Sequence, residues 1–325
     1  MDREPSHDQL CAIIERISPT ERALLQLLAV IYEPCSKTIL HRCAQACSLE
    51  PFAGFRSRSS SPEDLTYYLT HLRKLHLIDA QLRCQPTILE PTVRQAIAAG
   101  SFEALAKAVR QILPFESVSR ANSPSACLRH VRELRIAFHS QDAQLFNRCY
   151  AWIHEHCPDG ETSPEPVVDI CNHPFDEEWF SRLPIEWQIF SLDCIFSSAT
   201  WHLTDDQMAL SYGLKTEFQQ LLPDRARAKF DFDLTLRCLA GGELAEARRL
   251  LATSPARADF LGLSGLLAFQ EGGYDQAAAN LAKDLRELRH RARKRNACFQ
   301  TLPGVAYALA VLLGSQRPDM IKLRQ

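Results

Sequence analysis

The sequence predicts a mainly α-helical protein: a small domain of three helices closed by a β-ribbon, then an irregular stack of helical hairpins. Three observations predict it. Apolar residues recur at helical spacing through most of the 325 residues, whereas alternation with a period of two occurs only near residues 77–89. Glycine is scarce, at 12 residues, and gathers where one helical pattern gives way to the next. A pattern of small and large residues around Gly-Gly pairs recurs in the C-terminal half at an offset of 30 residues, Leu244 matching Tyr274.

Composition bounds the function classes. The chain is 46% hydrophobic and 23% charged, with a net charge of −2, which is the balance of a soluble globular protein. No uncharged apolar run reaches the roughly 18 residues of a membrane span, and the N-terminal MDREPSHDQL lacks a signal-peptide pattern. A cytoplasmic protein is expected, with no membrane role. Its twelve scattered cysteines are then mostly reduced thiols filling core positions. A net charge near zero argues against nucleic-acid binding by the whole chain, so any such contact has to come from a local patch. The expected organisation is an N-terminal helix or extension over 1–17, a domain over 18–100 and a helical repeat domain over 101–325. A break falls at 157–175, where four prolines lie.

In the domain over 18–100, Ser18-Pro19-Thr20-Glu21 reads as a helix start, with Ser18 as N-cap and Glu21 closing a capping box. Leu24, Leu25, Leu27, Leu28 and Ile31 follow. Lys37–Cys47 fits a second helix. Ser61-Pro62-Glu63-Asp64 opens a third, whose stripe is Leu65, Tyr68, Leu69, Leu72 and Leu75. Leu77-Ile78-Asp79 and Leu82-Arg83-Cys84 then fit a short ribbon, with Ile88-Leu89 beyond. The stretch LTYYLTHLRKLHLIDAQLRC resembles the third helix and wing of winged-helix domains, over some 70–80 residues and by pattern alone. The resemblance implies that the third helix could enter a major groove. Candidate contacts are then Arg56 and Arg58 in the preceding loop, His71, Arg73 and Lys74 on the helix, and Arg83 on the wing. Residues 56–85 hold five Arg/Lys against three acids, a small excess that suits a protein partner as well as DNA.

Beyond residue 90 helices are expected at 91–99, 101–113, 123–139, 141–156, 176–182, 185–202, 205–222, 224–240, 243–252, 257–271, 274–294 and 303–314. In GLLAFQEGGYDQAAANL, Gly265, Tyr274, Ala277 and Leu281 are spaced like the packing positions of a tetratricopeptide repeat. CLAGGELAEARRLL repeats the pattern with Leu244, Ala247 and Leu251. The copies are degenerate, so an irregular α-solenoid of tetratricopeptide-like hairpins is expected. The segment KDLRELRHRARKRN holds seven Arg/Lys against two acids, with Arg286, Arg289 and Arg293 on one face of the expected helix, Arg291 and Arg295 on another, and Lys294 beside them. It suits phosphates or an acidic partner, and equally a solvated helix end made cationic by the helix dipole.

No phosphate-cradling loop, dinucleotide fingerprint, nucleophile elbow or zincin helix occurs, so no catalysis and no cofactor are expected. His154, His156, Cys157, Cys171 and His173 cluster in sequence. Their spacing matches no zinc module, and no metal is assigned to them. Glu177-Glu178 and Asp205-Asp206 fit helix starts, where carboxylates meet the positive end of the dipole.

Lys294-Arg295, Leu302-Pro303-Gly304 and the apolar run Ala308–Leu313 loosely resemble the non-motor region preceding the ATPase in bacterial SNF2-type helicases. That resemblance implies an interaction or regulatory module, with the motor beyond Gln325. The ending SQRPDMIKLRQ reads as a helix just starting. The alternative is the winged-helix and tetratricopeptide-like sensor half of a transcription regulator, and a third reading is a scaffold without nucleic-acid contact. A protein partner or downstream domain is expected under the first reading, with DNA or RNA as further partners; no small-molecule ligand is identifiable.

Overall fold

The computed structural model describes residues 7–57, 59–115, 124–157, 165–202, 204–254, 260–299 and 302–314. The protein is mainly α-helical. Among the described residues β pairing is confined to two isolated bridges, Ile78 with Cys84 and Asn172 with Phe175. Contacts divide the chain into two compact units, Met1–Trp179 and Phe180–Gln325. The stretch expected as one domain, 18–100, lies inside the first, together with the next helices.

The first unit opens with α1 (His7–Arg16) and α2 (Pro19–Ile31). The Ser18 hydroxyl accepts from the Glu21 N–H while the Glu21 carboxylate accepts from the Ser18 N–H at 2.9 Å, so two groups that a helix start leaves open are satisfied. Leu24, Leu25, Leu27, Leu28 and Ile31 are all buried, and with apolar residues on every side α2 becomes the axis of the unit. It stops at Tyr32, which takes a left-handed φ of 62°.

Around α2 pack α3 (Lys37–Ala46), α4 (Thr66–Lys74), α5 (Pro86–Ala98) and α6 (Phe102–Ile112). Leu69 and Leu72 bury the inner stripe of α4. After it, the ribbon is one bridge long. The Asp79 N–H donates to the Arg83 carbonyl at 2.9 Å, and Leu82, buried, sits at φ 61°. Ile88 and Leu89 do not extend this ribbon. Pro86, at the first turn, starts α5 five residues earlier than the expected 91, and Pro91 lies inside the helix, where its ring costs one backbone hydrogen bond.

The unit closes with α7 (Pro124–His139), α8 (Ala143–His156) and α9 (Pro166–Asn172). A disulfide joins Cys127 on α7 to Cys157 at the end of α8. The other ten cysteines are free, and burial pushes the thiols of Cys43, Cys84, Cys149 and Cys238 up to about 12, so they sit as neutral apolar groups. A short α10 (Glu177–Ser181) spans the division between the units.

The second unit holds α11 (Ile185–His202), α12 (Gln207–Gly213), α13 (Thr216–Leu221), α14 (Asp224–Gly241), α15 (Leu244–Thr253), α16 (Leu263–Gln270), α17 (Tyr274–Ala292) and α18 (Leu302–Leu313). The single helix expected over 205–222 is two, α12 ending at Gly213 and α13 beginning at Thr216. α14 pairs with α15, α16 with α17, and α18 packs on both α16 and α17. Gly242 and Gly272, 30 residues apart, both take φ 80° at the turn of a hairpin, a conformation open to glycine at little cost. Ala247 and Ala277 are buried where the paired helices meet. Leu281 is buried, but its counterpart Leu251 is half-exposed because the adjacent Leu250 takes the inward position.

Gly265 lies directly against the Leu281 side chain, so a Cβ there would overlap it. Gly265→Ala is expected to cost about 1–3 kcal/mol in urea unfolding. Gly54→Ala, whose Cβ would meet no atom within 4 Å, serves as the control. Equal unfolding midpoints for the two variants would show that the α16–α17 contact tolerates the methyl.

Candidate functional site

Of the cations expected to face a groove, most are engaged within the fold. On α4, the His71 ring meets Glu21 at 2.5 Å. Arg73 donates to the carbonyls of Asp79 and Ala80, at 3.4 and 3.1 Å, and so ties the ribbon to α4. Arg83 donates through Nε to Asp79 Oδ2 at 2.8 Å. Arg56 donates to the Leu49 carbonyl at 3.4 Å, and Arg58 lies outside the described residues. Lys74 is exposed, and Tyr67 stands beside it on the outer face at 75% exposure. Two acids, Glu63 and Asp64, stand at the start of this helix segment, and Glu63 draws Lys37 to 3.1 Å.

The cationic segment of the second unit is not one continuous helix. α17 ends at Ala292 because Arg293 turns left-handed at φ 52°, its N–H and that of Lys294 returning to the carbonyls of His290 and Arg289. Arg293 and Arg295 therefore do not continue the faces of Arg286, Arg289 and Arg291. Arg286 and Arg289 donate to the carbonyls of Ala282 and Ala297, and Arg291 pairs with Glu287 at 2.8 Å. Arg293, Lys294 and Arg295 are exposed, with no carboxylate partner among the described residues.

The histidines and cysteines between 154 and 173 are dispersed to other roles. Cys157 is in the disulfide, Cys171 is buried, His156 stacks on Trp152, and His173 meets Asp169 at 3.2 Å. Among the described residues no group of three or more such side chains could hold a metal. In the second unit, Asp206 is buried in a bidentate pair with Arg237, at 2.7 and 2.5 Å. Lys229 bridges Asp193 and Asp233 at 2.6 and 2.9 Å, and burial together with the neighbouring Asp193 raises Asp233 to about 6.

The most concentrated chemistry is around α7, at residues that sequence reasoning passed over. Arg132 is wholly buried. It donates to Glu33 at 2.9 Å, to Glu133 at 3.1 Å and to the carbonyl of Leu113, just past the end of α6, at 2.7 Å. Arg110 donates to the other oxygen of Glu133 at 2.7 Å. One turn on, Arg135 pairs with buried Glu90 of α5 and lies 4.0 Å over the Tyr32 ring. Glu90 also meets His139 at 3.1 Å. Arg94 donates to the carbonyls of Ile170 and Pro174 and covers Trp179 at 4.1 Å. Burial opposes ionisation of Glu90, but Arg135 and the His139 hydrogen bond outweigh it and hold its pKa below 4.5. Burial lowers His139 below 6.5.

Beside this network opens a cleft of about 770 Å³. One wall is the ribbon, with Asp79 and Arg83. Tyr32 and the first turns of α5 form another, and Leu128 and Arg135 of α7 with Asp169 and His173 complete it. Every lining carboxylate is engaged by a basic side chain: Asp79 by Arg83, Glu90 by Arg135 and Asp169 by His173. The signal available in the sequence was the kind of cation. α7 carries Arg129, Arg132 and Arg135 at steps of three and no lysine, and arginine is the cation suited to buried, multiply hydrogen-bonded pairs.

Comparison of the chain with family models, with characterised proteins and with solved structures finds no match.

Removing the Glu90 charge leaves Arg135 buried and uncompensated, so Glu90→Gln is expected to lose about 3–5 kcal/mol in urea unfolding. Glu90 and His139 both have pKa values lower in the fold than unfolded, so the fold binds fewer protons. Their contribution is present above about pH 6.5 and is lost on acidification, His139 first and Glu90 below 4.5. The midpoint should therefore fall with pH, and fall less below pH 4.5 in Glu90→Gln. Superimposable pH profiles would remove Glu90 from the account.

Proposed function

We propose that this chain is a non-catalytic regulatory module that recognises a protein partner, built from a winged-helix-like first part and tetratricopeptide-like hairpins in the second. The winged-helix reading rests on the order α2, α3, α4 and the Ile78–Cys84 ribbon. The solenoid reading rests on the α14–α15 and α16–α17 hairpins, with Gly242 and Gly272 in the same turn conformation. A duplex-reading role for α4 is the weaker form of this proposal. Arg73, Arg83 and His71 are committed to internal partners, and Glu63 and Asp64 at the start of the helix repel phosphates. The proposed setting is the non-motor region of an SNF2-type helicase. The alternative is the sensor half of a transcription regulator.

The observation that carries the partner reading is α18. Val305, Leu309, Leu312 and Leu313 recur at helical spacing and remain 41–59% exposed, on a helix without a charged residue. Helix α18 already packs on α16 and α17, so its outer face is where a further helix of a hairpin stack would lie. The partner recognised is therefore an amphipathic helix of another protein. Replacing Leu309 and Leu312 by Glu is expected to abolish binding of the fluorescent probe anilinonaphthalene sulfonate to the native protein, and capture of a partner by a photo-crosslinker at position 305. Circular dichroism should remain unchanged. Retained probe binding in that variant, or crosslinking to nucleic acid alone, would overturn the reading.

A second reading has its own observation: Arg293, Lys294 and Arg295 form an exposed turn with no carboxylate partner among the described residues. If it contacts phosphates, the log–log salt dependence of binding to random duplex DNA or RNA should lose roughly 2–3 units of slope when all three become Glu. An unchanged slope and affinity would remove that turn from nucleic-acid contact.

A further inference from the structure

We propose that the cleft beside the ribbon binds a small organic monocarboxylate, its anionic head met by Arg83 and His173 and its apolar body by Leu89 and Leu128. The deciding feature is which hydrogen-bonding groups the fold leaves open to a ligand. The cleft, at about 770 Å³, lies within the range of small-molecule sites. Each of its carboxylates already has a partner within the fold. Asp79 accepts from the N–H groups of Gln81 and Arg83 and from Arg83 Nε. Glu90 accepts from Arg135 and His139, and Asp169 Oδ1 meets His173 Nδ1. The donors are less committed. Arg83 uses only Nε toward the fold, and its half-exposed side chain leaves the two terminal nitrogens open to solvent or a ligand. His173, also half-exposed, engages Asp169 through Nδ1 and leaves Nε2 open in the same way. Arg135, at 5% exposure, keeps a buried Nη1 without an acceptor. A lining whose carboxylates are already occupied and whose cations hold spare N–H groups selects a ligand that brings acceptors.

Charge fixes the kind of anion. Two arginines and His173 face three carboxylates, so the lining carries no positive excess. A dianionic phosphate would enter without compensation, whereas a single carboxylate needs only the fork of Arg83 and one imidazole N–H. The Asp169 hydrogen bond raises the His173 pKa, which favours the form that donates from both nitrogens. Leu89 and Leu128, with the Tyr32 ring, supply apolar wall for the rest of the molecule. A ligand held by Arg83 would also fix the ribbon, which Arg73 joins to α4. The proposal is independent of the α18 surface and of the protein partner.

The test uses the full chain with 3-phenylpropionate as the probe, 3-phenylpropionamide as its uncharged counterpart and inorganic phosphate as a bare anion, read by isothermal titration and ligand-observed NMR. The carboxylate is expected to bind with a Kd on the order of 1 mM or tighter, and the amide at least about tenfold more weakly. Arg83→Gln should weaken the carboxylate by about tenfold or more. Leu128→Trp fills the cleft while leaving every ion pair in place, and should abolish binding with the circular dichroism spectrum intact. Should Arg83→Gln fail to fold, Leu128→Trp alone decides. Equal binding of carboxylate and amide, stronger binding of phosphate, no binding of the carboxylate at millimolar concentration, or unchanged affinity in Leu128→Trp would each overturn the proposal.

Discussion

The first unit depends on the way α7 carries charge through its interior. An arginine as deeply buried as Arg132 persists only if each of its donors meets an acceptor, since an unpaired charge away from water costs several kcal/mol. Glu33, Glu133 and the Leu113 carbonyl meet that demand. Those three acceptors come from the turn after α2, from α7 itself and from the end of α6. The requirement therefore sets where α2 and α6 end relative to α7. Arg135 makes the same demand on Glu90 and so places α5. Apolar side chains of equal volume would fill the same space, often with greater stability. They would not specify which turn of α5 faces which turn of α7. The ionic core exchanges stability for a defined register.

That register has a consequence at the surface. Because Arg135 and Glu90 neutralise one another at the inner end, the cleft beside them can be polar without holding an unpaired charge. The ribbon adds a second pair, Arg83 with Asp79, and α9 a third, Asp169 with His173. Asp79 is central to this wall. One carboxylate accepts from two backbone N–H groups and one guanidinium, which holds a turn stabilised by a single bridge and containing a leucine at positive φ. Arg73 then fastens the same turn to α4. Cations that resemble a phosphate-binding set in the sequence are, in three dimensions, the rivets of a short ribbon.

Local rules made much of the helical framework legible. Ser18 and Glu21 form a capping box because the signal is contained in four residues, and the Leu65–Leu75 stripe buries as its spacing implies because the period needs no distant partner. The Gly-Gly turns were legible for the same reason, although Gly242 rather than Gly241 carries the positive φ. The misreadings share one origin. The expected start at 91 falls on a proline, which fits a first helical turn by local rules, while Pro86 sets the real one. Arg132, Arg135 and Glu90 were passed over because charged residues at helical spacing are the pattern of a solvated face. Their partners lie far off in sequence, Glu33 99 residues and Glu90 45 residues away, and a window of one helix cannot see them. The cleft was invisible for that reason too, being assembled from four separate segments.

The two units also solve close packing in different ways, and the difference bears on what each can recognise. In the first, buried ion pairs fix how α5 and α6 meet α7, and the cleft beside them is polar. In the second, Gly265 against Leu281 and Ala277 beside it set the α16–α17 spacing by the smallness of side chains. Contacts of that kind carry no polarity and no fixed end, so a helix added to the stack needs only an apolar stripe to join it. Helix α18 offers such a stripe, and nothing charged along it opposes a neighbour. The cleft of the first unit favours a ligand that completes a hydrogen-bonding pattern, whereas the outer face of α18 favours a partner that continues the packing. The two binding events proposed are for that reason separable by single substitutions.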